Sequence, residues 1–317
     1  MTDSGVSAGG DRVGVVVMAY GTPATAGDVE RYYTHIRRGR PPTAEQLANL
    51  QMRYDALGGT STLAARTQDQ LDALARSLEE IAPGRFTVAL GQKHATPFVE
   101  DGVATLVDAG VERVVGLVLA PHYSAFSVGQ YHERAGTAAA DAAIPFVGIE
   151  QWHDLPEYRT FLADAVRAGL ADLPDKTKVV FTAHSLPERV LAGDPYPDQL
   201  WESAEAVAAA VGLNRWAGWS LAWQSAGATP EPWRGPDIRA VIGDLAATGR
   251  ADGILVCPQG FVADHLEVAY DLDIEAQRVT DDLGLAFART QVLNDDPGVL
   301  AALARRVAAA AALARAS

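Results

Sequence analysis

Short β-branched, apolar runs alternate along this chain with longer segments of helical periodicity, and that alternation leaves few folds open. The runs fall at 13–19, 86–91, 114–120, 146–149, 179–182, 217–222, 254–257 and, more weakly, 285–289. Between them, spans such as 63–81 and 97–109 repeat apolar residues at a helical interval. Apolar strands that alternate with helices belong to parallel sheets covered on both faces. Eight such strands in 317 residues suggest two doubly wound halves rather than one barrel, because polar, proline-containing sequence interrupts the pattern at 172–178. The expected division is 1–171 and 172–295, with residues 1–12 a flexible tail. Residues 296–317 are expected to form a helix that packs back on the first half.

Composition narrows the partners. The chain is 48% hydrophobic and 21% charged, an ordinary globular make-up with ample core. A net charge of −14 argues against nucleic acid, which needs a basic footprint, but suits a metal cation. The one cysteine, Cys257, excludes a disulfide framework and a four-cysteine iron–sulfur cluster held by this chain alone. It lies in an apolar strand and reads as an inert buried thiol. The first residues lack the apolar core of a signal peptide, and the alanine-rich stretch at 307–314 is too short to span a bilayer. A cytoplasmic protein without membrane insertion is expected.

In doubly wound sheets ligands bind beyond the carboxyl ends of the strands. There the sequence places Tyr20 after the first strand, His122 after the third, His184 after the fifth and Trp223-Gln224-Ser225 after the sixth. The seventh strand leads into Glu267, Asp271 and Glu275, spaced i, i+4, i+8. On a helix those three carboxylates share one face and repel one another unless solvated or met by cations. A solvated acidic face is the common reading of such a ladder; convergence with histidine and tyrosine on one rim favours a site. No G-x-G-x-x-G, P-loop, G-x-S-x-G, H-E-x-x-H or C-x-x-C pattern occurs. Nitrogen and oxygen ligands from separate loops suit a divalent ion such as Fe²⁺ without selecting it.

Several longer motifs resemble the ferrochelatase family. They are Met18-Ala19-Tyr20-Gly21-Thr22-Pro23, Tyr32-Tyr33-Thr34-His35-Ile36-Arg37-Arg38-Gly39-Arg40, Thr182-Ala183-His184-Ser185-Leu186-Pro187 and Gly260-Phe261-Val262-Ala263-Asp264-His265-Leu266-Glu267. Asp194-Pro195-Tyr196-Pro197-Asp198-Gln199 and Trp223-Gln224-Ser225 agree, in the same order, so the resemblance covers nearly the whole chain. It implies an α/β chelatase fold: two Rossmann-like domains, each with a parallel four-stranded sheet, and a porphyrin cleft between them. It also implies a lyase that inserts Fe²⁺ into a porphyrin in haem synthesis.

By this resemblance His184 accepts pyrrole protons and meets the metal, with Glu267 beside or opposite it. An imidazole titrating near neutrality suits that task. Tyr20 faces the porphyrin from the other side and can ligate iron. Asp271 and Glu275 continue a carboxylate line from surface to cleft, along which a hydrated cation exchanges water for oxygen ligands stepwise. Arg53 matches a position near the outer end of that line and is expected to pair with Asp271 or Glu275. Arg37 and Arg38 match positions near the substrate's carboxylates, which arginine captures bidentately; Ser61 and Tyr131 are weaker candidates for the same role. His94 matches a bacterial-family histidine sometimes near metal, and an ordinary surface role fits it equally.

Fe²⁺ is then a substrate and no permanent cofactor or iron–sulfur cluster is expected, with room for Mg²⁺ or another divalent ion on the acidic ladder. Tyr20, and the lack of a cysteine-bearing C-terminal extension, resemble the compact branch that converts coproporphyrin III to coproheme. A protoporphyrin IX enzyme is the alternative. A monomer with transient contacts to other haem-synthesis enzymes is expected. A cobalt or nickel chelatase would use paired histidines where this chain has Glu267, and a non-catalytic tetrapyrrole carrier would have lost the base or the ladder. One departure from the family pattern is Thr62, where proline usually follows the serine.

Overall fold

A computed structural model of the chain describes residues 12–227 and 229–313. The strands are β1 (Val13–Ala19), β2 (Phe86–Gln92), β3 (Arg113–Val118), β4 (Phe146–Ile149), β5 (Thr177–His184), β6 (Trp219–Gln224), β7 (Gly253–Cys257) and β8 (Ala286–Arg289). They form two four-stranded parallel sheets, ordered β2-β1-β3-β4 and β6-β5-β7-β8. The α/β architecture read from the alternation is thus present, with all eight strands within a few residues of their expected places. β5 extends further than expected, so His184 is its last residue rather than a loop residue.

Every residue of β1 is buried, as is every residue of β7, because helices cover both faces of these central strands. One large core cluster spans the two halves, joining Val15, Leu117 and Trp152 to Phe181, Leu255 and Cys257. Helices tie the halves together. Helix Pro297–Leu313 packs on helix Leu63–Ile81 of the first half, and helix Pro156–Leu170 packs on helix Tyr196–Val211 and β7 of the second. The tail expected at 1–12 falls almost wholly on residues outside the described set, as do the last residues of the expected terminal helix. Among the described residues no helix is long and apolar enough to cross a membrane.

Each sheet reverses its strand order beside its first strand, between β1 and β3 in one half and between β5 and β7 in the other. A crevice opens at such a switch point. Tyr20 leaves β1 there, His184 ends β5 there, and the chain after β7 returns there with Glu267.

Candidate active site

His184 is fixed from behind. Its Nδ1–H donates to the Ser185 carbonyl, so the proton on that nitrogen is set by an acceptor-only partner. Nε2 is thereby turned toward Glu267, whose Oε1 lies 3.6 Å away. The other carboxylate oxygen of Glu267 faces His265 Nε2 at 3.7 Å. Burial alone would lower the His184 pKa, but the Glu267 carboxylate, the Ser185 carbonyl and Asp271 raise it to about 9. Burial opposes ionisation of Glu267, yet His184 and His265 hold its carboxyl well below the usual range. The resting pair is therefore imidazolium and carboxylate at neutral pH. This corrects the expected near-neutral base: a carboxylate in a poorly hydrated cleft keeps the proton on its neighbour.

The loop carrying Glu267 is placed by close backbone packing. A Cβ on Gly260 would lie 2.6 Å from the Ala183 Cβ, one residue from His184, so only glycine lets β5 and this loop approach. The Gln224 side-chain amide donates to the Glu267 carbonyl at 3.0 Å. Thr62 Oγ1 donates to the Asp264 carbonyl at 2.8 Å, tying the start of helix Leu63–Ile81 to the same loop. The threonine that departs from the family's proline thus supplies a hydrogen bond that proline could not.

The ladder is not a regular α-helix, contrary to the expectation. Leu266–Val268 form one α turn, Ala269–Ala276 a π-helix, and Gln277–Leu283 resume the α form. In an α-helix carboxylates four residues apart drift round the axis by roughly 40° per step. The wider π turn falls short instead of overshooting, so the mixture keeps the three groups closer to one line. Arg53 confirms their proximity: its guanidinium reaches Asp271 at 3.1 Å and Glu275 at 3.8 Å while lying over the Tyr270 ring. Glu275 also meets Arg239 at 3.5 Å. Asp271 is buried and accepts the Ser225 hydroxyl. Burial lifts its pKa to about 6, with Glu267 and Glu275 adding to the rise and Ser225 and Arg53 opposing it.

Across the cleft, Tyr20 is 43% exposed. The cleft walls and the Glu267 charge raise its hydroxyl pKa. Its ring leans on His94 at 4.6 Å, and His94 Nδ1 meets His35 Nδ1 at 3.0 Å. His94 is half-buried and lowered to about 3, first by burial and then by Lys93, His35 and Arg134; it is a neutral wall of the cleft rather than a surface group. Tyr131 is buried behind Lys93, whose ammonium stands 5.0 Å over its ring. Arg37 stacks near Tyr33 and donates to the Arg40 carbonyl, and Arg38 takes a left-handed turn (φ 57°) after helix Val29–Ile36. Among the described residues neither arginine pairs with a carboxylate. Ser61 Oγ accepts the Leu63 amide at 3.2 Å, so its oxygen already caps a turn.

His122 lies deeper than the rim, buried with a lowered pKa, hydrogen-bonded to Ser203 and stacked on His153. Cys257 is fully buried with its thiol pushed up to about 12, an inert group as expected. Ser225, placed on the strand-end rim by the sequence, meets Asp271, and the site also gains His265, Lys93 and His35. These three stand within or beside a quoted motif, but nothing in their spacing shows that they touch the site.

Among the described residues no group of three histidine, cysteine or acidic side chains converges to hold a metal. The site offers a two-ligand pair, His184 and Glu267, open on one side. That arrangement can lower the cost of stripping water from a cation without holding it permanently.

Comparison with known proteins agrees. Residues 12–311 match the Ferrochelatase family profile. The chain is 45% identical over 298 residues to coproporphyrin III ferrochelatase of Geobacillus kaustophilus, covering 92% of this chain and 93% of that protein. It is 43% identical over 300 residues to coproporphyrin III ferrochelatase of Bacillus subtilis, covering 92% and 96%. Among solved structures, SirB from Bacillus subtilis with Fe³⁺ shares the fold at a TM-score of 0.58 and 12% identity, over 96% of this chain and 98% of that one. Sequence, sheet topology and cleft together place this chain in the ferrochelatase family.

Proposed function

We propose that the chain inserts Fe²⁺ into coproporphyrin III, giving coproheme and two protons. The observation that carries the reading is the His184–Glu267 pair, whose carboxylate also acts on Tyr20, with Asp271 and Glu275 following on the same segment and gathered by Arg53. The names of the curated relatives support coproporphyrin as the ring.

The charge balance dictates the order of events. Two pyrrole protons leave as one dication enters, so the site must export positive charge as it imports it. Iron arriving between His184 and Glu267 displaces the proton that their pairing holds. Transfer of the metal to the ring then frees Nε2 to accept one pyrrole proton, which restores the imidazolium, while the second pyrrole proton passes to solvent. Asp271, titrating near 6, can carry protons outward along the line that carries the cation in. Tyr20 serves the opposite face of the ring. Arg37, Arg38, Ser61 and Tyr131 are assigned to the substrate, and Arg53 holds the outer carboxylates where Mg²⁺ or another divalent ion can replace it. The unit is a monomer acting in the cytoplasm, with no iron–sulfur cluster.

The test is anaerobic Fe²⁺ insertion, followed by absorbance, into coproporphyrin III and protoporphyrin IX in parallel. Faster metallation of coproporphyrin supports the proposal. Preference for protoporphyrin keeps the chemistry and overturns the substrate; no insertion into either ring leaves a carrier or a different chelatase.

A further inference from the structure

We infer that Lys93 is a carboxylate-binding residue of the cleft, seating one propionate of the tetrapyrrole against the Tyr131 wall. The inference rests on the porphyrin reading above and adds a residue to it.

Lys93 follows β2 at the carboxyl edge of the first sheet, and its backbone N–H donates to the Ala19 carbonyl at 2.9 Å. The next amide, of His94, donates to the Tyr20 carbonyl at 3.0 Å. Two consecutive bonds thus pin this segment beside the tyrosine of the site. From there the ammonium projects over the ring of Tyr131 at 5.0 Å, and Tyr131 is only 4% exposed. An aromatic face holds an ammonium in place but does not neutralise it.

What surrounds Lys93 is cationic. The charges acting on it are those of Arg134 and Arg38. The nearby acid, Glu100, is engaged by Arg134 through two hydrogen bonds of 2.7 and 2.6 Å, and Arg134 also donates to the Lys93 carbonyl at 3.0 Å. No carboxylate lies within ion-pair distance of Lys93 among the described residues. Burial first, and the two guanidinium groups second, lower its pKa to about 8. A half-buried ammonium with like-charged neighbours and no counter-ion gains from any anion that enters. A solvated lysine on an ordinary loop would show neither the aromatic seat nor the depressed pKa. The anion that fits is a carboxylate at the edge of a flat apolar ring, because the exposed ring of Tyr20, packed on His94 next to Lys93, offers an aromatic surface that a free inorganic anion would leave uncovered.

The experiment titrates the full chain, wild type and K93M and K93R, with coproporphyrin III by fluorescence quenching, alongside steady-state Fe²⁺ insertion. K93M is expected to weaken binding and raise KM about tenfold or more with kcat within about twofold, the loss of one charge-assisted contact. K93R, which keeps the charge, should recover most of it. Wild-type affinity in K93M overturns the inference, as does a loss of affinity that K93R fails to restore with the thermal midpoint unchanged. A fall in kcat at constant KM overturns it too, because that is a catalytic and not a seating role. If the wild type binds coproporphyrin but metallates no ring, the proposed reaction falls while the titration still decides Lys93. If it binds no porphyrin, both fall.

Discussion

His184 and Glu267 stand 3.6 Å apart, contributed by the end of β5 and by the loop after β7, and each fixes the other's charge. Neither residue alone would be in the right state. Without Glu267 the half-buried imidazole would lose the main influence that holds its proton against burial, and without the histidines the carboxylate would resist ionisation.

Replacement of either partner should therefore cripple metallation. His184→Ala is expected to lower kcat by about two to four orders of magnitude, the range lost with a positioned acid–base group. Glu267→Gln should impair turnover and bring the His184 pKa down, toward the value that burial alone would set. Anaerobic insertion kinetics and ¹H–¹⁵N spectra of the His184 ring check the two effects. A variant retaining full turnover without His184 would remove it from the mechanism.

Cation binding at the pair should release a proton. Because His184 titrates at about 9, affinity for Zn²⁺, a redox-inert surrogate, should rise about tenfold per pH unit between pH 7 and 9 and then level off. Calorimetry in buffers of different ionisation enthalpy reads the released proton directly. An affinity flat across that window would mean that the metal does not meet His184.

The same pair predicts the sign of a stability change. The folded pKa of His184 lies above its ordinary value of 6.5, so the proton it holds stabilises the fold fully below pH 6.5, while the depressed Glu267 adds its share above its own ordinary value of 4.5. The His184 contribution is lost as pH rises through about 9. The stability of the wild type should fall across this window, and Glu267→Gln should flatten the dependence. Equal slopes in the two proteins would contradict the assignment.

Removing Arg53 should change the ladder in a defined direction. Arg53 opposes the rise of the Asp271 pKa, so Arg53→Met should move it further above about 6 and leave more Asp271 protonated near neutrality. Iron capture should weaken, seen as a raised KM for Fe²⁺, and recover as pH increases. An unchanged KM for the metal would show that the ladder does not carry it.

Gly260→Ala tests placement rather than chemistry. Its Cβ would meet Ala183 at 2.6 Å and press the Glu267 loop away from β5. Overpacking of this kind costs about 1–3 kcal/mol, so a lowered thermal midpoint should accompany lost turnover. Native stability in the variant would show that the loop adapts.

Fold class and most of the cast are legible in the amino-acid order alone. Alternating apolar strands and helices report burial on both faces, a one-dimensional signal, and it located β1 and β7 closely. The quoted motifs hold Tyr20, His184 and Glu267, and the i, i+4, i+8 spacing adds Asp271 and Glu275, because a site built at strand ends leaves its residues in fixed order along the chain. The pairing of Arg53 with Asp271, 218 residues apart, was expected only through family likeness and is present in the structure. Tertiary structure decided the rest. The charge of His184 depends on a carboxylate from another strand; the line of the ladder depends on a π turn that no periodicity announces. Lys93 looks like any loop lysine until Tyr131, Arg134 and a spent Glu100 surround it. Local sequence records which groups are present, whereas their ionisation and alignment follow from distances set by remote segments, and those distances exist only once the two sheets have closed on one cleft.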